Sequence, residues 1–166
     1  MEYDEEKAHY VSVTGILVKD GKYLITRRAD WEKAFPGRWT VPGGKLEVKD
    51  YSSREKDTPH HWYNVFEDLL KREIREEIGL EVENISYVTS MVYIRPDNIP
   101  CIIVSLFANP KEGEIKLCSA LTEYKWVSLE EVKSYDLIEG IYDELVILDK
   151  FLKTGKNMSW QKNASE

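Results

Sequence analysis

The stretch Arg72-Glu73-Ile74-Arg75-Glu76-Glu77-Ile78-Gly79-Leu80 predicts both a central helix and its chemistry. Residues three and four apart share one face of an α-helix, so Glu73, Glu76 and Glu77 are expected to project together. Apolar residues recur at every fourth position from Leu70 to Ile78 and give the same helix an apolar side. The helix is therefore predicted to pack on a core with one side and to present carboxylates on another.

Three neighbouring carboxylates repel one another, by about 0.2–0.5 kcal/mol per pair in water. The cluster becomes favourable when a hard divalent cation lies between the oxygens, and Mg²⁺ prefers such ligands together with waters and substrate phosphates. Glutamates mixed with Lys71, Arg72 and Arg75 are also typical of a solvated helix face, where ion pairs have little value. The helix alone leaves both interpretations open.

Composition narrows the class of protein. The chain has 166 residues, 42% of them hydrophobic, which predicts one globular domain with a sizeable core. Its net charge of −7 without a basic stripe argues against long nucleic acid as a partner. Apolar runs such as 101–108 are too short to span a membrane, and the start 1–6 is acidic rather than signal-like. A cytoplasmic location is expected, with no membrane partner.

The first half of the chain reads as strands, turns and a loop. Val11 to Lys19 and Tyr23 to Arg28 are predicted strands joined by the hairpin signal Asp20-Gly21. Residues 39–41 form a short strand that runs into a glycine turn at Pro42-Gly43-Gly44. Residues 48–63 are polar and lack periodicity, which indicates a surface loop inserted before the helix.

The central helix is predicted to run from Val65 to about Ile78. Asn64 is the expected N-cap, with Glu67 completing a capping box, and Gly79 is the expected C-cap.

The second half continues the alternation of strands and helices. Further strands are predicted within 82–95, 101–107 and 123–127, with a hairpin over 111–119 and a helix at 138–152. Ser128 and Glu131 have the spacing of a capping box before a short helix. The domains are predicted as an N-terminal tail at 1–8, one mixed α/β domain at 9–153 and a C-terminal tail at 154–166.

The order of these motifs resembles the signature of the Nudix hydrolase family, G-x5-E-x7-R-E-U-x-E-E-x-G-U, in which U is a bulky aliphatic residue. All nine positions of the right-hand part match residues 72–80. The approach at 37–47 and the stretch at 124–131 also look like this family. The resemblance covers about residues 10–150 and implies an α/β/α sandwich with a mixed central sheet.

The left half of the signature departs from the family. Family spacing places the arginine 14 positions after the glycine, whereas Arg72 follows Gly44 by 28 positions, so the loop carries 14 extra residues. Counting forward from Gly44 places the expected glutamate at Asp50, and counting back from Arg72 places it at Asn64. Neither residue is glutamate, so the first acidic position is either replaced or displaced.

The resemblance implies Mg²⁺-dependent hydrolysis of a pyrophosphate bond in a nucleoside diphosphate linked to another group, with Mn²⁺ as an expected substitute. It implies Glu73, Glu76 and Glu77 as metal ligands, with Glu76 and Glu77 central to catalysis and Arg72 orienting the carboxylates. The missing first glutamate motivates an alternative, a weak or inactive Nudix-fold module that binds nucleotide or has a regulatory role.

Three features of the reaction stay open in the sequence. The general base is sought among Glu123, Glu47 and Asp50. Arg27 and Arg28 end a strand and are either a charged strand end or a contact for substrate phosphate, and Gly43 and Gly44 are expected to allow close approach of substrate.

The substrate is equally open. Pro96 lies sixteen positions after Leu80, a spacing that resembles ADP-ribose hydrolases, although Pro96 is also a turn residue. The sequence of residues 37–47 looks more like that of Nudix family members that act on nucleoside triphosphates. The expected partner is a nucleotide-type small molecule, and a homodimer is among the expected assemblies.

Overall fold

A mixed sheet forms the centre of the computed structural model, which describes residues 4–156 and 159–162. Its strands are β1 (Tyr10–Lys19), β2 (Lys22–Arg28), β3 (Trp39–Thr40), β4 (Gly43–Lys45), β5 (Val82–Ile94), β6 (Pro100–Pro110) and β7 (Leu121–Val127). The order is β3-β2-β1-β6-β5, with β4 paired to β1 and β7 paired to β2. The β1–β6 pair is parallel and the other pairs are antiparallel.

Helices cover both faces of this sheet. They are α1 (Lys49–Ser52), α2 (Val65–Ile78) and α3 (Ile141–Thr154), with 3₁₀ turns at Glu5–Lys7 and Glu131–Ser134. The buried side of α2 packs with Val13 and Leu17 of β1, whereas α3 packs with Ile16 of the same strand. Alternate residues of a strand point to opposite faces, so the two helices lie on opposite sides of the sheet. This arrangement confirms the predicted α/β/α sandwich.

Each face has its own apolar core. The α2 core includes Leu69, Leu70, Ile74 and Ile78, and the α3 core includes Ile141, Leu145 and Leu148. Burying a side chain of this size contributes about 1.5–3 kcal/mol. None of the helices in the described part of the chain has the length and apolar character needed to cross a bilayer.

The hairpin between β1 and β2 confirms the Asp20-Gly21 prediction. Both turn residues have positive φ, 51° at Asp20 and 71° at Gly21. A two-residue turn between twisted strands requires this left-handed backbone, which glycine adopts without a steric cost.

Helix α2 has the predicted bounds, but the prediction of a capping box at its N-terminus is wrong. Gly79 ends the helix at φ 73°, and its N–H donates to the carbonyl of Arg75 at 3.1 Å. Asn64 lies at φ 55° and its side chain makes no capping hydrogen bond. A capping side chain needs an extended backbone to reach the first free N–H groups, and the left-handed conformation of Asn64 removes that geometry.

The hairpin predicted over residues 111–119 is also wrong. This segment is irregular, and the N–H groups of Lys116 and Cys118 donate to the carbonyls of Ile78 and Glu77, at 2.9 and 2.8 Å. The last carbonyls of a helix have no partner within the helix. The segment supplies those partners, so its N–H groups are not available for a hairpin ladder.

Several local boundaries differ from the predictions. The glycine turn enters a short strand, β4, and the predicted surface loop contains the single helical turn α1. Helix α3 begins at Ile141 rather than at 138, because Gly140 has φ 93°, which no helix contains. The short capping box is confirmed by reciprocal hydrogen bonds between Ser128 and Glu131.

The tails are only partly described. A 3₁₀ turn occupies 5–7 of the predicted N-terminal tail, and α3 extends one residue into the predicted C-terminal tail. Residues 1–3, 157–158 and 163–166 of those tails lie outside the described residues. The domain bounds stay a prediction.

Candidate active site

Arg72 organises the acidic face of α2. Its guanidinium binds Glu73 through Nη2 at 2.8 Å, Glu76 through Nη1 at 2.8 Å and Asp50 through Nε at 2.6 Å. Two of these partners belong to the same helix, whereas Asp50 belongs to α1. Arg72 therefore holds three carboxylates at one place, which is the arrangement that an orienting role would require.

Asp50 provides the acidic partner that the sequence left open between two positions. A second bond joins Arg72 Nη2 to Asp50 Oδ2 at 3.3 Å, and the same oxygen accepts the N–H of Glu47 at 2.7 Å. The Asp50 side chain is only 2% exposed. Asn64, the other position considered, instead begins α2 with a left-handed backbone. Of the two positions, it is therefore Asp50 that meets Arg72.

The inserted segment is held by its own side chains. Arg54 binds Asp57 at 2.8 Å and the carbonyl of Tyr63 at 2.6 Å, and its own carbonyl accepts the indole N–H of Trp62 at 3.1 Å. The rings of Trp62 and Tyr51 are 5.3 Å apart. These contacts let the chain leave α1 and return to the start of α2 without moving Asp50 from Arg72.

Glu77 is the most enclosed carboxylate of the helical cluster. Its Oε2 accepts the backbone N–H of Gly43 at 3.0 Å. Burial raises the pKa of Glu77 to about 7, and the Gly43 hydrogen bond opposes that rise. Burial likewise raises the pKa of Glu73, against the charge of Arg72. These two carboxylates lie where their own negative charge is costly, so a positive charge nearby is favourable.

The glycines of β4 bring backbone against this cluster. A Cβ added at Gly44 would overlap the carboxylate of Glu73, and one added at Gly43 would overlap the carbonyl oxygen of Val13. Strand β4 therefore approaches β1 at Gly43 more closely than a residue with a side chain permits, whereas at Gly44 the end of the Glu73 side chain would have to move.

The donor set fits a hard divalent cation. All candidate ligands are carboxylate oxygens. Asp50, Glu73 and Glu76 share the guanidinium of Arg72, and Glu77 is held by the N–H of Gly43. Within residues 4–156 and 159–162, no three acidic, histidine or cysteine side chains already form a metal-binding group. Glu73 and Glu76 are instead bound by Arg72, and Glu77 by the N–H of Gly43.

The other candidate residues make separate contacts. Arg27 binds Asp30 at 2.9 Å and Thr122 at 3.2 Å, and lies 3.8 Å from Glu123, its partner across β2 and β7. Arg28 binds Glu32 at 3.0 Å and also lowers the pKa of Glu77 through its charge. The positive charge of Arg28 thus acts on Glu77 of the α2 cluster, whereas Glu123 is paired with Arg27.

Sequence reasoning missed Glu144. It lies on α3 and is 2% exposed, and its Oε2 accepts the hydroxyls of Ser105 at 2.8 Å and Thr14 at 3.2 Å. Burial raises its pKa to about 7, against these hydrogen bonds. A glutamate one position before Leu145, on the apolar side of a helix, is the signal that could have identified it.

Glu144 lines a cavity of about 440 Å³ between α3 and strands β5 and β6. Its lining is mostly apolar and includes Met91, Ile103, Ile147 and Trp160. Such a volume and such walls are usual for a small-molecule site.

Strand β4 connects this cavity with the acidic cluster. Thr14, which binds Glu144, is the register partner of Gly43, whose N–H binds Glu77. The two carboxylates therefore lie on opposite faces of the sheet, one backbone pair apart.

Comparison with known proteins assigns the family. The model of the NUDIX domain matches residues 8–146. A protein named nucleoside triphosphatase NudI, from Escherichia coli, is 26% identical over 136 residues, which are 75% of this chain and 86% of that protein. The chain belongs to the Nudix family and is a nucleotide pyrophosphohydrolase of the Nudix type. Nudix hydrolases generally need a divalent metal ion, usually Mg²⁺.

Solved structures agree on the fold. The MutT NUDIX hydrolase of Burkholderia pseudomallei superposes with a TM-score of 0.67 at 20% identity, covering 84% of this chain and 98% of that one. The NUDIX domain of NrtR from Shewanella oneidensis, solved with ADP ribose, gives a TM-score of 0.63 at 18% identity, covering 93% and 94%. At these identities the likeness concerns the fold alone.

Proposed function

We propose that this chain hydrolyses the pyrophosphate bond of nucleoside triphosphates with Mg²⁺ as its metal. The observation that carries the proposal is the group formed by Arg72, Asp50, Glu73 and Glu76, with Glu77 beside it on the same helix. Phosphoryl transfer requires positioning and charge neutralisation more than covalent chemistry from the protein. A rigid helix with oriented carboxylates meets that requirement.

Glu76 and Glu77 are the proposed principal metal ligands, with Glu73 as the third. Glu76 is the most exposed of the three, at 59% of its side chain, and Glu77 lies against the backbone of β4. Bound Mg²⁺ supplies positive charge against the oxygens of the diphosphate. Arg72 keeps Glu73 and Glu76 in place, and the Gly43 N–H fixes one oxygen of Glu77, so its other oxygen is available as a ligand.

Three carboxylates are candidates for the general base, and their contacts decide which of them is free to take a proton. Asp50 accepts three hydrogen bonds and is buried, so it is proposed as a positioning residue rather than the base. Glu47 contacts Lys49 at 2.9 Å, and Glu123 lies near Arg27. Glu123 is the proposed base because its pairing with Arg27 is long and leaves the carboxylate half-exposed.

Substrate phosphate is proposed to approach along β4 and the end of β2. Gly43 and Gly44 leave room there, and Arg28 contributes positive charge near Glu77. Arg27 is the second proposed phosphate contact, although Asp30 must then release it. The name of the Escherichia coli relative favours nucleoside triphosphates as substrates. Because the NrtR domain was solved with ADP ribose, ADP-ribose is included among the substrates to be tested.

The test is hydrolysis of a nucleotide panel with Mg²⁺, followed by Mn²⁺, in wild type and in E76Q and E77Q. The matched control is E81Q, which removes an exposed carboxylate paired with Arg75 just beyond the helix. We expect both helix variants to lose at least tenfold in kcat/KM and E81Q to keep wild-type values. Nucleotide binding without turnover in wild type would favour the alternative of an inactive module. The cytoplasmic location and the homodimer stay predictions.

A further inference from the structure

The cavity beside Glu144 has walls suited to a flat heterocycle and one polar end. Met91, Ile103 and Ile147 supply apolar surface, and Trp160 adds an aromatic ring. The volume of about 440 Å³ exceeds that of a purine ring system. Among the described residues, the charged side chains that line the cavity are Glu139, Asp143 and Glu144, all acidic.

Glu144 has one oxygen committed to the protein and one that is not. Both hydroxyl donors, from Thr14 on β1 and Ser105 on β6, bind Oε2. Oε1 accepts no hydrogen bond from any residue that the structure describes. Glu144 lines the cavity while most of its side chain is buried, so a donor that a ligand brings to Oε1 would be favourable there.

We propose that Glu144 determines which base the enzyme accepts, because its Oε1 receives a hydrogen bond from an amino or ring N–H group of a purine. The proposal rests on the proposed function, since it assigns the nucleoside part of the substrate to this cavity. The short connection from Glu144 through Thr14 and Gly43 to Glu77 supports that assignment. A base on the α3 side and a diphosphate near α2 would lie at the two ends of this connection.

The hydrogen-bonding character of Oε1 depends on protonation. Ionised Glu144 offers an acceptor to the cavity, whereas protonated Glu144 presents an O–H at the oxygen that Thr14 and Ser105 leave free. The pKa of Glu144 is raised to about 7 by burial, and the nearby charge of Asp143 raises it further. Glu139 and the phenol of Tyr93 are the other titratable groups that line the cavity in the described chain. Preference for donor-bearing bases should therefore weaken below neutral pH.

Replacement by glutamine imitates that change. In E144Q the amide carbonyl can accept from Thr14 and Ser105, which turns the NH₂ group toward the cavity. The position then changes from acceptor to donor while its size is kept. E130Q is the control, because it removes a charge from an exposed side chain that lies outside the cavity lining.

The experiment measures binding of nucleoside monophosphates by calorimetry in EDTA, so neither metal nor a pyrophosphate bond takes part. The probes are guanosine and adenosine 5′-monophosphate, which carry donors, and purine riboside 5′-monophosphate, which has no exocyclic amino or ring N–H group on its base. At pH 8 we expect wild type and E130Q to bind at least one donor-bearing probe tenfold or more tightly than purine riboside monophosphate. For E144Q, and for wild type at pH 5.5, the ratio should fall below threefold.

Equal binding of all three probes to wild type at pH 8, no binding of any probe, or an unchanged ratio in E144Q would overturn the proposal. The pH series on wild type decides the matter even if E144Q fails to fold. A chain that binds the probes as expected but hydrolyses no nucleotide would instead contradict the proposed function alone.

Discussion

Asp50 and Arg72 are 22 residues apart and share two hydrogen bonds, Nε to Oδ1 at 2.6 Å and Nη2 to Oδ2 at 3.3 Å. Most of the inserted loop, residues 51–63, lies between them in the chain. Side-by-side bonds of this kind fix the plane of the guanidinium as well as its position. The direction in which Arg72 offers its remaining N–H groups to Glu73 and Glu76 is therefore set from outside the helix.

Removing the charge of Asp50 should disturb that direction. In D50N we expect kcat to fall at least tenfold and the free energy of unfolding to fall by about 1–3 kcal/mol, because a mostly buried ion pair loses one partner. Urea unfolding and steady-state kinetics measure the two effects. D97N, which changes a half-exposed aspartate paired with Arg95 in the turn between β5 and β6, is the control and should keep wild-type kcat. Wild-type kinetics in D50N would contradict the orienting role.

Neutralising Glu77 should lower activity without lowering stability. E77Q should lower kcat/KM by about 10²–10³-fold, as expected for loss of a metal ligand, while leaving stability unchanged or higher, since the buried charge disappears. Electron paramagnetic resonance of Mn²⁺ reports the ligand loss directly. If E77Q keeps wild-type affinity for Mn²⁺, Glu77 is not a ligand.

The two glycines of β4 should respond differently to alanine. G43A places a methyl group against the backbone carbonyl of Val13, which cannot move aside, and should cost about 2–4 kcal/mol in stability. G44A meets the end of the Glu73 side chain, which can turn away at the expense of its ion pair with Arg72. We expect G44A to lose mainly activity. Thermal unfolding and kcat compare the pair, and similar stability losses in both would be the contrary result.

Glu144 should make stability depend on pH in a defined direction. Its folded pKa, about 7, lies above the usual value of 4.5, so between these values the folded chain holds a proton that the unfolded chain releases. Stability from this group is therefore highest at low pH and falls as pH rises through 7, by about 2–3 kcal/mol.

Urea unfolding at pH 5 and pH 8 tests this direction. E144Q should gain stability relative to wild type by that amount at pH 8 but not at pH 5, and E139Q should follow wild type at both. A wild-type chain that gains stability from Glu144 on going to pH 8 would show that the carboxyl is ionised in the fold at low cost.

Periodic and local signals predicted much of the fold. The bounds of α2, the Asp20-Gly21 hairpin and the strands around Cys101 all depend on short-range patterns of burial and turn geometry, and all are confirmed. The ion pair between Arg72 and Glu76, four residues apart, follows from helical spacing. The capping at Asn64 failed because its backbone is set by the inserted segment, which no local pattern describes.

Contacts between distant segments could not be predicted in this way. Counting along the signature allowed Asp50 or Asn64, and only the fold of the insertion shows that Asp50 reaches Arg72. Glu144 gave a weak signal because its partners lie on β1 and β6, 130 and 39 residues away. A buried carboxylate becomes recognisable when the strands that surround it are known.

The pairing of Thr14 with Gly43 limits which insertions and deletions the sequence of this enzyme can accept. A slip of one residue between β1 and β4 would reverse the faces of every side chain in the pair. The hydroxyl of Thr14 would leave Glu144 at the same moment as the N–H of Gly43 left Glu77. Base selection and phosphate chemistry thus share one alignment of two strands, and insertions or deletions near residue 43 cannot adjust either one separately.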